Sequence, residues 1–159
     1  MLKFICPLIA VEDIAVSRHF YEYILGQEVK FDFGENVVFK GDFAIHLKAH
    51  FQQLLGNPAL YPVTQRAYNG ELYFETSEIE TIYERLKRQE VEFIHKPREQ
   101  PWGQWVIRFY DPDGHIVEIG ETMEAFVWRF YRQGLSTSEI SERTSLTVEF
   151  VEQIIKEQR

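Results

Sequence analysis

The chain has 159 residues, enough for one compact domain or for one domain with a short appendage. Hydrophobic residues at 45% and aromatic residues at 15% supply a real core and exclude a disordered chain. A formal net charge of −8 argues against a nucleic-acid surface, which needs clustered Lys and Arg. The single cysteine, Cys6, excludes an intramolecular disulfide framework. The apolar run that opens the chain is much shorter than a membrane span and lacks a small-residue cleavage site. A cytoplasmic protein is the expectation.

In chain order, residues 4–11 read as a strand that ends at Glu12-Asp13. Asp13 is a good N-cap for a helix over about 14–25, in which Ile14, Ser17, Phe20, Tyr21, Ile24 and Leu25 share a face. Gly26 then stops the helix. Strand-like segments follow at 27–33, 36–40 and 43–48, with turn chemistry at Gly34-Glu35-Asn36 and Gly41-Asp42. Residues 49–68 lack regularity beyond a turn of helix near Phe51–Leu55, and a connection that long reads as a linker or a functional loop. The pattern then recurs: strand 71–75, helix 77–89, and strands 91–95, 105–110 and 115–121. From Met123 the character changes to three helices, at 123–132, about 137–143 and about 147–157.

Two β-α-β-β-β units in tandem imply an internal duplication. Gln27-Glu28-Val29 after the first helix answers Gln89-Glu90-Val91 after the second. Cys6 lies eight residues before Ile14 as Glu71 does before Ile79, and His46 and Glu118 sit in the last strand of each unit. The expected fold class is therefore α+β. Two paired βαβββ modules (1–49 and 69–122, joined by the linker 50–68) would form a curved mixed sheet around a cleft. Residues 1–122 would make the domain and 123–159 a C-terminal helical extension. Alternation along strands sends Glu71, Tyr73 and Glu75 away from Leu72 and Phe74, and Arg108 and Tyr110 away from Ile107 and Phe109. A face that gathers carboxylates, an arginine and aromatic rings from several strands is a default ligand site.

Two stretches carry a family resemblance. Ile5-Cys6-Pro7-Leu8-Ile9-Ala10-Val11-Glu12-Asp13-Ile14, with Ser17, Phe20-Tyr21 and Leu25-Gly26, is the first. Pro101-Trp102-Gly103-Gln104, followed by Phe109-Tyr110-Asp111-Pro112-Asp113-Gly114-His115-Ile116-Val117-Glu118, is the second and the more specific. Over residues 1–121 the chain resembles the vicinal-oxygen-chelate superfamily of glyoxalase I, bleomycin-resistance proteins and extradiol dioxygenases. The resemblance implies a metal site at Cys6, His46, Glu71 and Glu118, with Cys6 a departure from the usual His or Gln. It also implies a substrate pocket drawing on Trp102, Trp105, Arg108, Tyr73 and Tyr110, and a homodimer.

An imidazole and two carboxylates with a thiolate suit Zn²⁺, and without the thiolate also Ni²⁺, Co²⁺, Mn²⁺ or Fe²⁺. The implied function is then a divalent-metal-dependent lyase or isomerase acting on a small carbonyl or enediolate-forming substrate. In it Glu71 or Glu118 would act as the catalytic proton carrier. Each residue also has a plainer reading. Cys6 can be a small core side chain, His46 a polar lining residue, and Glu118 the partner of Arg108 in an ion pair without metal. The alternative function is a metal-free small-molecule binding protein of the bleomycin-resistance type, which takes a bulky cation in an acidic, aromatic cleft. An extradiol iron site fits less well, because it needs two histidines and one carboxylate. No glutathione clamp can be mapped. His19, His50, His95 and His115 read as surface or packing residues.

Residues 135–158 have the outline of a helix-turn-helix, but the second helix presents Glu149, Glu152 and Glu157 against Lys156 and Arg159. A groove reader needs the opposite balance. Neither nucleic acid nor membrane is expected as a partner.

Overall fold

The computed structural model describes residues 1–158. It contains two four-stranded sheets with the same internal order. In the first, strands β1 (Leu8–Val11), β2 (Val29–Asp32), β3 (Asn36–Phe39) and β4 (Ala44–Leu47) run in the order β1-β4-β3-β2. In the second, β5 (Glu71–Thr76), β6 (Phe93–Glu99), β7 (Trp105–Tyr110) and β8 (Ile116–Glu121) run β5-β8-β7-β6. In each sheet the first and last strands of the module pair in parallel. The duplication expected from the sequence is thus a duplication of topology.

The chain divides into two compact units. The first holds residues 1–70 together with 110–115, and the second holds 71–109 together with 116–159. Helix α1 (Ile14–His19) begins where Asp13 accepts from the amides of Ala15 and Val16. It continues into a π-helical turn over Phe20–Ile24, in which Leu25 N donates to Phe20 O at 3.0 Å. Tyr21 is thereby sunk into a core with Val11, Val37, Phe39 and Ile45. A short helix α2 (Lys48–Leu54) follows β4 directly.

The turn Asp111-Pro112-Asp113-Gly114 belongs to this first unit and is held by buried hydrogen bonds. Asp111 accepts from the Tyr21 hydroxyl at 2.7 Å, from the His115 amide at 2.8 Å and from His115 Nδ1 at 2.9 Å. Asp113 accepts from Glu12 N at 2.8 Å and from the Ser17 hydroxyl at 2.9 Å. Each acceptor that the motif buries is satisfied, which is the condition for keeping two carboxylates inside.

In the second unit, α3 (Ile79–Arg88) buries Ile79 and Leu86, while Val106, Ile107, Phe109 and Val117 fill the sheet core. Three further helices complete it: α4 (Met123–Arg132), α5 (Thr137–Thr144) and α6 (Val148–Glu157). They share a core of Phe126, Val127, Phe130, Ile140, Val151, Ile154 and Ile155. Ser136 and Glu139 form a reciprocal capping box at the start of α5. Ser145 then turns the chain in the left-handed region, and Thr147 caps α6. Arg129 of α4 fixes the helices to the sheet. Its Nε and Nη2 reach Glu121 of β8 at 3.0 and 2.8 Å, and Nη2 also donates to Gly103 O at 2.6 Å. Among the described residues no helix is long and apolar enough to cross a membrane.

Three boundaries differ from the sequence expectation. The first strand starts at Leu8, because β4 offers partners only from Ala44 onward. Residues 4–6 therefore extend past the ladder. The sixth strand runs later than expected, over Phe93–Glu99, and contains Pro97. It is an edge strand, where a missing N–H costs no ladder bond, and its register shifts between His95 and Arg98. The helix expected over 14–25 loses its α geometry at Phe20.

Candidate functional site

The first unit contributes His46 and Cys6. His46 is buried on β4, directly opposite Ala10 of β1. Asn36 Nδ2 donates to His46 Nδ1 at 3.2 Å, which leaves the Nε2 proton to be donated to His50 Nδ1, 3.0 Å away. Burial, then the neighbouring His50, pulls the His46 pKa below its ordinary 6.5 against a weaker opposing effect of Glu35. His46 is thus a neutral imidazole relayed to a second one. The i, i+4 spacing of His46 and His50 carried this signal, but the strand-to-helix junction at Lys48 that makes the spacing meaningful was not legible. Cys6 is a free, half-buried thiol two residues ahead of β1.

Strand register also defines equivalence between the modules. His46 faces Ala10, and Glu118 faces Tyr73. Two residues earlier, Leu8 faces Ala44 and Glu71 faces Ile116. Leu8, rather than Cys6, therefore stands at the counterpart of Glu71.

The second unit contributes Glu71 and Glu118, and both carboxylates engage the same guanidinium. Arg108 Nε lies 2.9 Å from Glu71 Oε2, and Arg108 Nη2 is ion-paired with the buried Glu118. β5, β7 and β8 thus place the three charges on one face, as alternation along the strands predicts. In the ladder Arg108 stands opposite His95. His95 Nδ1 is within 2.9 Å of the Lys96 carbonyl, while its Nε2 is buried without a hydrogen-bond partner. Burial lowers the His95 pKa, the Lys96 carbonyl opposes this, and the charges of Arg98 and Arg108 reinforce it. The neutral ring accordingly presents an unfilled acceptor beside the ion pair.

Of the expected pocket residues, Tyr73 and Trp102 are joined through a residue that the sequence did not single out. Trp102 Nε1 donates to Gln104 Oε1 at 3.0 Å, and Gln104 Nε2 donates to the Tyr73 hydroxyl at 2.8 Å. Tyr73 in turn donates to Glu75 at 2.8 Å. Gly120 makes room for this chain, since a Cβ there would lie 2.7 Å from Gln104 Nε2. Trp105 is half-buried, and its amide donates to Glu121 at 2.8 Å. Tyr110 lies in the first unit under the guanidinium of Arg66, 4.1 Å from the ring centroid.

A divalent metal does not fit these residues as they stand. Glu71 and Glu118, the two strongest donors of the expected set, are already engaged by the one guanidinium of Arg108, and a metal would have to displace it from a buried carboxylate. Among the described residues no group of three or more His, Cys, Asp or Glu side chains is arranged to hold an ion. The face of the second unit instead offers three carboxylates (Glu71, Glu75 and Glu118) against one guanidinium, with the half-exposed ring of Tyr73 among them.

Comparison with known proteins agrees with the fold. None of the curated proteins matches this chain. A solved structure of a protein of unknown function from Agrobacterium tumefaciens str. C58 is 37% identical, covering 77% of this chain and 96% of its own, with a TM-score of 0.67. A glyoxalase/bleomycin resistance protein/dioxygenase from Nocardioides is 26% identical, covering 76% of this chain and 84% of its own, with a TM-score of 0.61. A lactoylglutathione lyase from Agrobacterium tumefaciens shares the fold at 22% identity and a TM-score of 0.58, covering 77% and 96% of the two chains. The model of the glyoxalase-like domain matches residues 4–124, the span that carries both sheets, and the chain belongs to that family.

Proposed function

We propose that this protein is a metal-free small-molecule binding member of the glyoxalase/bleomycin-resistance superfamily, and that its ligand is an organic cation. The observation that carries this reading is the Glu71–Arg108–Glu118 cluster, which commits the would-be metal carboxylates to an internal cation. The surplus of carboxylates over the single guanidinium and the half-exposed aromatic ring of Tyr73 suit a ligand that brings positive charge.

The metal-dependent lyase or isomerase is the second reading, and one observation favours it. His46 Nε2 and His50 Nδ1 are 3.0 Å apart. Two imidazole nitrogens that each bond a first-row ion at about 2.1 Å, roughly at right angles, have about that separation. Zn, Ni, Co, Mn or Fe would then be required, with Glu71 or Glu118 released from Arg108 as the proton carrier. A homodimer is part of both readings, supported by exposed apolar side chains such as the stacked pair Phe31 and Phe33. A cytoplasmic location rests on the lone cysteine.

Elemental analysis of protein purified without chelators separates the readings. The expected result is well below one divalent ion per chain, together with saturable binding of an aromatic quaternary ammonium probe that weakens in E71Q. A stoichiometric ion that is lost on H46A substitution overturns the metal-free reading.

A further inference from the structure

The second unit contains a cavity of about 620 Å³ away from the Arg108 cluster, and we infer that it is a binding site for an elongated aromatic molecule with an acidic group at one end and a cationic group at the other. One wall is the outer face of α4, which contributes Glu124, Trp128 and Arg132 at successive i, i+4 positions. Helical rise sets these side chains about 6 Å apart along the wall, so an indole lies midway between a carboxylate and a guanidinium separated by about 12 Å. Ser77, from the turn before α3, and Gln158, after α6, line the same space.

The cavity's charges divide into two groups. Arg129 and Glu121 saturate each other through two hydrogen bonds, so they form wall rather than bait. Arg132, Ser77 and Gln158 make no side-chain hydrogen bond or ion pair among the described residues. Glu124 at the first turn and Arg132 at the last also complement the helix dipole, which explains their signs. Between them Trp128 packs in part against the helical core, and the part of its side chain left open lines the cavity. Trp128 stacks on Tyr131 at 5.5 Å, which backs its ring and holds the indole as a plate. An aromatic ring laid on that plate, carboxylate toward Arg132 and ammonium toward Glu124, satisfies both ends together. The site lies on the helical extension, so it is independent of the reading proposed for the sheet face.

The test uses the full chain and 4-(aminomethyl)benzoate as the probe, with benzoate and benzylamine as its two halves. The indole N–H resonance of Trp128, assigned by its loss in W128F, reports occupancy against the internal controls Trp102 and Trp105. We expect saturable displacement of the Trp128 signal, tighter binding of the probe than of either half, and roughly tenfold weaker binding in R132Q, the scale of losing one charge-assisted contact. Arg132 is exposed and unpaired among the described residues, so R132Q should keep the fold. E124Q should bind benzoate as before while losing the preference for the probe over benzoate. The inference is overturned if Trp128 shows no saturable shift by about 5 mM probe, a range that already admits weak millimolar binding. Affinity unchanged in R132Q overturns it equally.

Discussion

Glu118 is buried on β8 and carries a charge, so the protein's tolerance of it depends on Arg108. Removing one partner of a buried pair strands the other, whereas removing both restores much of the loss. R108Q should therefore cost about 2–3 kcal/mol in urea unfolding, somewhat below a fully buried pair because Glu71 is partly open to water. The double variant R108Q/E118Q should recover at least half of that. A double variant as unstable as R108Q would mean that Arg108 acts through packing alone. Sequence alternation placed Arg108 and Glu118 on one face, and their pairing was one of two outcomes that it left open. Periodicity reports which side a residue faces and is silent on which opposite charge reaches it first. His115 shows the same limit, since its motif was visible and its partner was not. Burial lowers its pKa, but the hydrogen bond to Asp111 and the charges of Asp111 and Asp113 outweigh this and hold it above 6.5. A base whose folded-state pKa is raised stabilises the fold fully below its unfolded pKa, and that contribution is lost as pH rises through the folded value. Stability should thus decline from pH 6.5 upward by a component that H115Q lacks. Parallel urea midpoints for the two proteins across that window would remove His115 from the account.

Among the elements, those bounded by strong stop signals fell close to expectation. Gly26, with φ of +71°, closes the first helical segment, and Asp13 opens it. The deviations arise where a boundary is set by a partner elsewhere in the chain. β1 can be no longer than the strand beside it, and β6 accepts Pro97 only because it lies at an edge. The π-helical turn at Phe20–Ile24 likewise reflects the demand to bury Tyr21 against the sheet and the Asp111 turn. Apolar spacing alone could not distinguish it from a continued α-helix. The α5–α6 turn is held by Ser145 at φ of +60°, a conformation in which a side chain is strained and glycine is not. S145G should accordingly raise stability by about 0.5–1 kcal/mol, since the turn lies at a helix end and loses no interior helical residue. In thermal unfolding that corresponds to roughly 1–4 °C. A lower melting temperature would show that the hydroxyl makes a contribution larger than the relief of strain.

For the molecule as a whole, the sequence suggested a domain at 1–122 with an added helical extension. The extension is bonded into the second unit at several places. Arg129 satisfies the buried Glu121, and Arg143 reaches Glu99 at 2.9 Å. Phe130 fills the space over Gly103, where any Cβ would overlap its ring. The acidic face of α6, with Glu149, Glu152 and Glu157, leaves the helix-turn-helix outline without the positive charge that duplex binding needs. The outline is better explained by packing, since Ile140, Val151 and Ile154 are the residues it buries. Truncation after Thr122 should then remove the apolar cover that Phe130 of α4 lays over Gly103 and leave Glu121 without Arg129. Each loss is worth several kcal/mol, comparable with the whole stability of a domain of this size. Residues 1–122 alone should be aggregation-prone or unfolded, and adding E121Q should rescue them only in part, because the charge is relieved while the exposed apolar surface remains. A truncated chain that purifies as a discrete species and unfolds within a few degrees of the full protein would instead make the helices a dispensable attachment, and the ligand cavity on α4 would then be free to evolve independently of the sheet.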